Sequence, residues 1–128
     1  MDDQSNEILI VNFWATWCGP CVKELPQFDD LYKKYQGKNV KIVLVSFDFA
    51  DQLNKKVIPF VEKRNIKVEV VLLDETDYAS FIDLIDPAWS GAIPATLMID
   101  RRNGLKRQFY EKEFKEGQLE LVFTEFIK

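Results

Sequence analysis

The sequence predicts an α/β fold: a central mixed β-sheet flanked by helices, with elements in the order βαβαβαββα. Three observations carry this prediction. Runs such as Glu7–Ala15 and Val40–Phe47 are apolar at nearly every position, as strands buried on both faces are. Between such runs the apolar residues recur at helical spacing. Near the C-terminus, two strand-like runs flank the turn Arg101-Arg102-Asn103-Gly104, a hairpin signal. Strands separated by helices need crossover connections, so the first part of the sheet is expected to be parallel and the last hairpin antiparallel.

The elements follow in order. Glu7–Ala15 (EILIVNFWA) is the first strand. Gly19–Tyr35 carries Val22, Leu25, Phe28, Leu31 and Tyr35 on one helical face, with Pro26 expected to kink it. Val40–Phe47 is the second strand. Gln52–Arg64 shows a helical stripe of Leu53, Val57, Phe60, Val61 and Arg64, with Pro59 as a break or kink. Val68–Leu73 is the third strand and Tyr78–Ile85 a short helix. Ala95–Ile99 and Leu105–Tyr110 form the hairpin, and Leu119, Val122, Phe123, Phe126 and Ile127 mark a closing amphipathic helix.

Composition bounds the function. A chain of 128 residues, 47% hydrophobic and 30% charged, fits a single folded domain spanning 1–128. Its first six residues are polar and are expected to be flexible; they do not resemble a secretory leader. A net charge of −4, with only short basic pairs such as Lys33-Lys34 and Lys55-Lys56, argues against nucleic acid as a partner. No apolar run approaches the roughly 20 residues that span a bilayer, so membrane insertion by this segment is not expected.

The chemistry concentrates in Trp17-Cys18-Gly19-Pro20-Cys21, which holds both cysteines of the chain. That spacing can close a disulfide across one helical turn. Its place between an apolar strand and the start of a helix favours a thiolate at the first cysteine. An unperturbed thiol has a pKa of about 8.5, and the thiolate is the attacking species. Cys18, at the helix start, is expected to attack a partner disulfide, and Cys21, one turn further in, to resolve the adduct. Gly19 and Pro20 set the turn between them. Other uses of the pair fit less well. A structural disulfide here closes too short a loop to gain much chain entropy. A zinc site needs about four ligands, and the chain has no histidine and no third cysteine. Haem attachment needs histidine after the second cysteine, where Val22 stands. No metal and no cofactor other than the redox-active pair is expected.

Asn12-Phe13-Trp14-Ala15-Thr16-Trp17-Cys18-Gly19-Pro20-Cys21 resembles the active-site strand and helix start of the thioredoxin superfamily. The continuation Val22-Lys23-Glu24-Leu25-Pro26 resembles the TlpA/ResA-like branch of thiol-disulfide oxidoreductases, and the two-strand, two-helix stretch from Val40 to Ile85 also resembles that branch, which carries an extra βα insertion relative to plain thioredoxin. Ile93-Pro94-Ala95-Thr96 is similar to the family's cis-proline segment. The resemblance implies a thioredoxin-like fold and a cis bond before Pro94 that packs beside the cysteines, with Ile93 offering backbone groups to a bound strand. An ordinary trans proline opening a strand is the alternative. It implies that Trp17 borders the exposed sulfur. It also implies that Glu24, partly buried near the dithiol, tunes its acidity and helps deprotonate Cys21; a solvated helix glutamate is the other possibility. Plain thioredoxins carry a buried aspartate where this chain has Asn12, so Asn12 cannot be that base. Trp14 and Phe13 are expected to be strand packing. Trp89 could wall the substrate groove or pack in the core.

The family normally has a strand or hairpin before the first strand seen here, so an N-terminal strand is expected to be missing. The function implied is reduction of disulfides in partner proteins, fed by a thiol electron donor, by a monomer in the cell envelope, with the cytoplasm as the alternative. Two other functions compete. One is a thiol peroxidase, which would place a lone cysteine in a Pro-x-x-x-Thr-x-x-Cys context that this sequence does not match. The other is a non-catalytic thioredoxin-like binding domain, which would typically have lost a cysteine.

Overall fold

β1 (Ile8–Trp14) is buried at every position, and its alternation sorts the core into two layers. Ile8, Ile10 and Trp14 point into one cluster, and Leu9, Val11 and Phe13 into the other. Successive side chains of a strand face opposite sides of a sheet, so a strand that is apolar at both parities belongs between two helical layers. The computed structural model describes residues 7–74 and 77–128; the first six residues, expected to be flexible, lie outside them.

The sheet has five strands in the order β3-β2-β1-β4-β5. β2 (Val40–Ser46) runs parallel to β1, with Ile8 opposite Val40 and Trp14 opposite Ser46, and β3 (Glu69–Leu72) runs parallel to β2. β4 (Ala95–Asp100) lies antiparallel to β1 on its other side, and β5 (Lys106–Tyr110) is antiparallel to β4. The expected division into a parallel part and an antiparallel hairpin holds. The hairpin turn is held by Arg102, whose guanidinium donates to the Asp100 carboxylate at 2.8 and 3.0 Å, while Gly104 takes the left-handed conformation at φ 89°.

α1 (Gly19–Lys34) lays Cys21, Leu25, Phe28 and Leu31 on the first layer, where α4 (Gln118–Phe126) adds Leu119, Phe123 and Phe126. α3 (Tyr78–Ile85) covers the second layer through Phe81, Ile82 and Ile85. α1 runs through Pro26 without a break, with the proline on its exposed side, where water can reach the Val22 carbonyl that has lost its donor.

The stripe expected as one helix over Gln52–Arg64 is instead a composite. A 3₁₀ turn (Ala50–Gln52) leads into a π-helical turn (Leu53–Val57) and then α2 (Ile58–Lys63). Pro59 explains the wide turn. In a regular α-helix its ring would collide with the Lys55 carbonyl and leave it without a donor. A π turn, seen in the bond from the Ile58 N–H to the Leu53 carbonyl, opens the coil just ahead of the proline.

Candidate active site

The site is assembled where three chain segments meet at the C-terminal end of β1. Cys18 is the N-cap of α1, and its sulfur accepts a hydrogen bond from the Cys21 N–H at 3.3 Å. Gly19 and Pro20 occupy the first helical positions, where a missing N–H costs nothing. Cys18 and Cys21 form a disulfide with their Cα atoms 5.2 Å apart. The two residues differ in access: Cys18 is 7% exposed and Cys21 fully buried. Trp17, immediately before them, is 64% exposed, and Gly19 and Pro20 are also exposed.

Opposite the cysteines stands the start of β4. The Ile93–Pro94 peptide is cis, as expected, and the Ile93 carbonyl oxygen lies 3.9 Å from the Cys18 sulfur. Pro94 is buried and Ile93 half-buried. The lead-in passes through Gly91 at φ +93°, where an added Cβ would sit 2.9 Å from the Ile82 side chain of α3. The positive φ favours glycine here, and the contact itself falls on the movable tip of Ile82. Trp89 is buried against Phe13 and Phe47, and its indole N–H donates to the Ala92 carbonyl at 2.8 Å. It therefore packs in the core and braces the turn before Ile93; it does not wall a groove.

Glu24 lies on α1 one turn beyond Cys21 and is fully buried. The solvated alternative is thereby excluded, and burial is more complete than the partial burial the resemblance implied. Its carboxyl accepts from the Asn12 side-chain amide at 3.4 Å and from the Phe114 N–H at 3.3 Å. Loss of water pushes its pKa from 4.5 up to about 8. The Phe114 hydrogen bond opposes the rise, nearby Glu113 adds to it, and Asn12 opposes it. Asn12 also donates toward the Ala95 carbonyl at 3.3 Å and the Thr96 hydroxyl at 3.1 Å. One amide thus ties β1 to β4 and to α1.

A second buried carboxyl, unforeseen in the sequence, holds the loop on the other side. Asp48, 1% exposed, accepts from the Thr16 N–H at 3.0 Å, the Thr16 hydroxyl at 2.5 Å and the Ser46 hydroxyl at 2.6 Å. It clamps the turn leading into Trp17 and Cys18 to the end of β2. A signal was available: Ser46-Phe47-Asp48 follows the carboxyl end of a parallel strand, where α/β folds build their sites. Among the described residues no group of three or more histidine, cysteine or acidic side chains is placed to hold a metal ion.

A disulfide at a helix N-terminus, with one sulfur reachable and the other buried beside a carboxyl of raised pKa, can undergo stepwise thiol-disulfide exchange. The relatives of the chain agree with this geometry. The chain is similar to the thiol-disulfide oxidoreductase ResA of Bacillus thuringiensis, 32% identical over 120 residues that cover 94% of this chain. It spans 64% of that relative's length. It is also similar to the sporulation thiol-disulfide oxidoreductase A of Bacillus subtilis, 26% identical over 77% of this chain and 56% of that protein. A thioredoxin-related protein from Neisseria meningitidis serogroup B superposes with a TM-score of 0.76 at 25% identity, covering 95% of this chain and 86% of that one. The family model described as AhpC/TSA matches residues 1–108. With its five-stranded mixed sheet, flanking helices and paired cysteines, the chain belongs to the thioredoxin-like AhpC/TSA family.

Proposed function

We propose that this chain is a thiol-disulfide oxidoreductase that reduces disulfides in partner proteins through Cys18 and Cys21. The observation that carries the proposal is the asymmetry of the pair: a reachable sulfur at the N-cap of α1, facing the Ile93 carbonyl, and a buried one a turn further on. In the reduced protein the Cys18 thiolate attacks one sulfur of the partner's disulfide, and the other leaves as a thiolate. Cys21 then loses its proton and attacks the Cys18 sulfur, which releases the second partner thiol and closes the Cys18–Cys21 disulfide. A thiol electron donor returns the two electrons for the next cycle. No further cofactor enters this scheme.

Glu24 serves as the positioned base for Cys21. With a pKa near 8 the carboxyl is mostly protonated at neutral pH, and its ionised fraction, close in affinity to the roughly 8.5 of a free thiol, is the form that takes the Cys21 proton. Trp17, Gly19, Pro20, Ile93 and Pro94 form the surface on which the partner strand lies. The names of the curated relatives, both thiol-disulfide oxidoreductases, support the activity. A cell-envelope location and a monomeric state complete the proposal. Among the described residues no helix is long and apolar enough to cross a membrane.

The test is insulin reduction with dithiothreitol as donor, run beside peroxide consumption. The wild type accelerates insulin reduction, Cys18→Ser abolishes the acceleration, and Cys21→Ser accumulates a mixed disulfide through Cys18. Peroxide consumption without insulin reduction, or no adduct with a folded Cys21→Ser protein, would overturn the proposal.

A further inference from the structure

Two aromatic side chains are exposed among the described residues, Trp17 at 64% and Phe49 at 70%. They are far apart in sequence but held to the same edge of the molecule. β1 and β2 run parallel with Trp14 opposite Ser46, and beyond the strands the Phe47 N–H still donates to the Trp14 carbonyl at 2.7 Å. The Asp48 clamp then joins the two chains once more, through the Thr16 N–H and hydroxyl. Trp17 and Phe49 are the next residue on each chain, so both emerge from one hydrogen-bonded bridge. Leu53, at 36% exposure, follows Phe49 across the 3₁₀ turn. Single exposed apolar residues are ordinary, but two exposed aromatics that leave the same hydrogen-bonded bridge next to the cysteines mark a contact surface. This one is continuous with the sulfur that a partner must reach, because Trp17 is bonded directly to Cys18.

We propose that Phe49 is a specificity-determining residue: with Trp17 it forms an aromatic ledge beside Cys18 that selects disulfides whose cysteine is flanked by an apolar side chain in an extended, accessible segment. The proposal rests on the reductase reading above and names its substrate class. The cis peptide side of the site offers backbone groups, which any extended chain can use. The ledge offers only apolar area, which discriminates by side chain. Asp48 holds the ledge in place without touching the substrate, so the preference is built into the folded protein and needs no closure.

The test compares two synthetic peptides of equal length, each bridged by one disulfide and differing at the residue beside the attacked cysteine: leucine in one, serine in the other. Reduction is followed with dithiothreitol as donor. The wild type is expected to favour the leucine peptide by about tenfold in kcat/KM, the gain from burying part of one aliphatic side chain. Phe49→Ser brings the ratio to within about twofold of unity, whereas Phe49→Leu keeps most of it, since area and not ring chemistry sets the gain. Leu121→Ser leaves the ratio as in the wild type: Leu121 is exposed on α4 beside Glu120, which pairs with Lys34 at the far end of α1, about 24 Å of helix from Cys18. The proposal is overturned if Phe49→Ser leaves the ratio intact, or if it slows both peptides by the same factor, which would mark a role in holding the site's shape. If the wild type reduces neither peptide nor insulin, it is the reductase reading that fails.

Discussion

Glu24 sits in the core, and loss of water there makes it keep its proton, although two neutral donors, Asn12 and the Phe114 N–H, reach its carboxyl and oppose this. With a folded pKa near 8 against 4.5 for an unperturbed carboxyl, the folded state keeps a proton that the unfolded state releases. Between those two values the unfolded chain binds fewer protons, so stability falls as pH rises and levels off above about 8. Below 4.5 both states are protonated and the group contributes no pH dependence. The full interval from 4.5 to about 8 corresponds to about 4–5 kcal/mol, since each tenfold change in proton affinity is worth about 1.36 kcal/mol. In the oxidised protein the cysteines do not titrate, so urea unfolding of the disulfide form isolates this effect. Glu24→Gln is expected to abolish most of the decline between pH 5 and 8; an undiminished decline in the variant would show that another group causes it. In the reduced protein the same variant should shift the Cys21 titration, and unchanged thiol pKa values would remove Glu24 from the proton transfer. The sequence placed Glu24 one turn from Cys21 but not its depth, because burial depends on Phe114 and Asn12, which arrive from other elements. Asp48 escaped notice for a related reason: its three donors come from Thr16 and Ser46, and only the pairing of β1 with β2 brings Thr16 near.

At the scale of elements, prolines decide where regular geometry gives way. Pro59 is accommodated by widening the turn before it, and Pro26 by turning its ring to solvent inside a continuous α1. A proline in a helix interior costs about 3 kcal/mol, partly offset by the stiffness it gives the unfolded chain. Pro26→Ala restores the donor to the Val22 carbonyl and is expected to raise stability by about 2 kcal/mol, read as a higher urea midpoint with an unchanged slope. A lower midpoint would mean that the ring's packing beside Leu25 outweighs the lost hydrogen bond. The periodicity of α1, α3 and α4 was legible because each packs a single apolar face against the core. The composite segment from Ala50 to Lys63 was not, since a π turn and an α turn share nearly the same apolar spacing.

At the scale of the whole molecule, β1 is the hub: it pairs with β2 and β4, separates the two core layers and delivers Cys18 at its end. Ile10, fully buried in its middle, is therefore a sensitive site. Ile10→Ala is expected to cost about 2–5 kcal/mol in urea unfolding, from lost burial plus the cavity left between packed layers. Leu84→Ala, at a position 82% exposed on α3, should stay within about 0.5 kcal/mol of the wild type. A small loss at Ile10 would indicate that the layer beneath α1 closes over the gap.

The amino-acid sequence by itself determined most of the element types, the mixed sheet and the dithiol, while the proline that faces it was placed by the resemblance carried by Ile93-Pro94-Ala95-Thr96. The first three are local chemistry: two-residue or helical periodicity and a three-residue cysteine spacing. Tertiary structure alone decided that Glu24 loses its water, that Trp89 is core, that Asp48 ties the active-site turn to β2, and that Trp17 and Phe49 leave the same hydrogen-bonded bridge. The physical reason is common to all four. Desolvation and hydrogen-bond partners are properties of the space around a side chain, and that space is built from strands and helices distant in the chain.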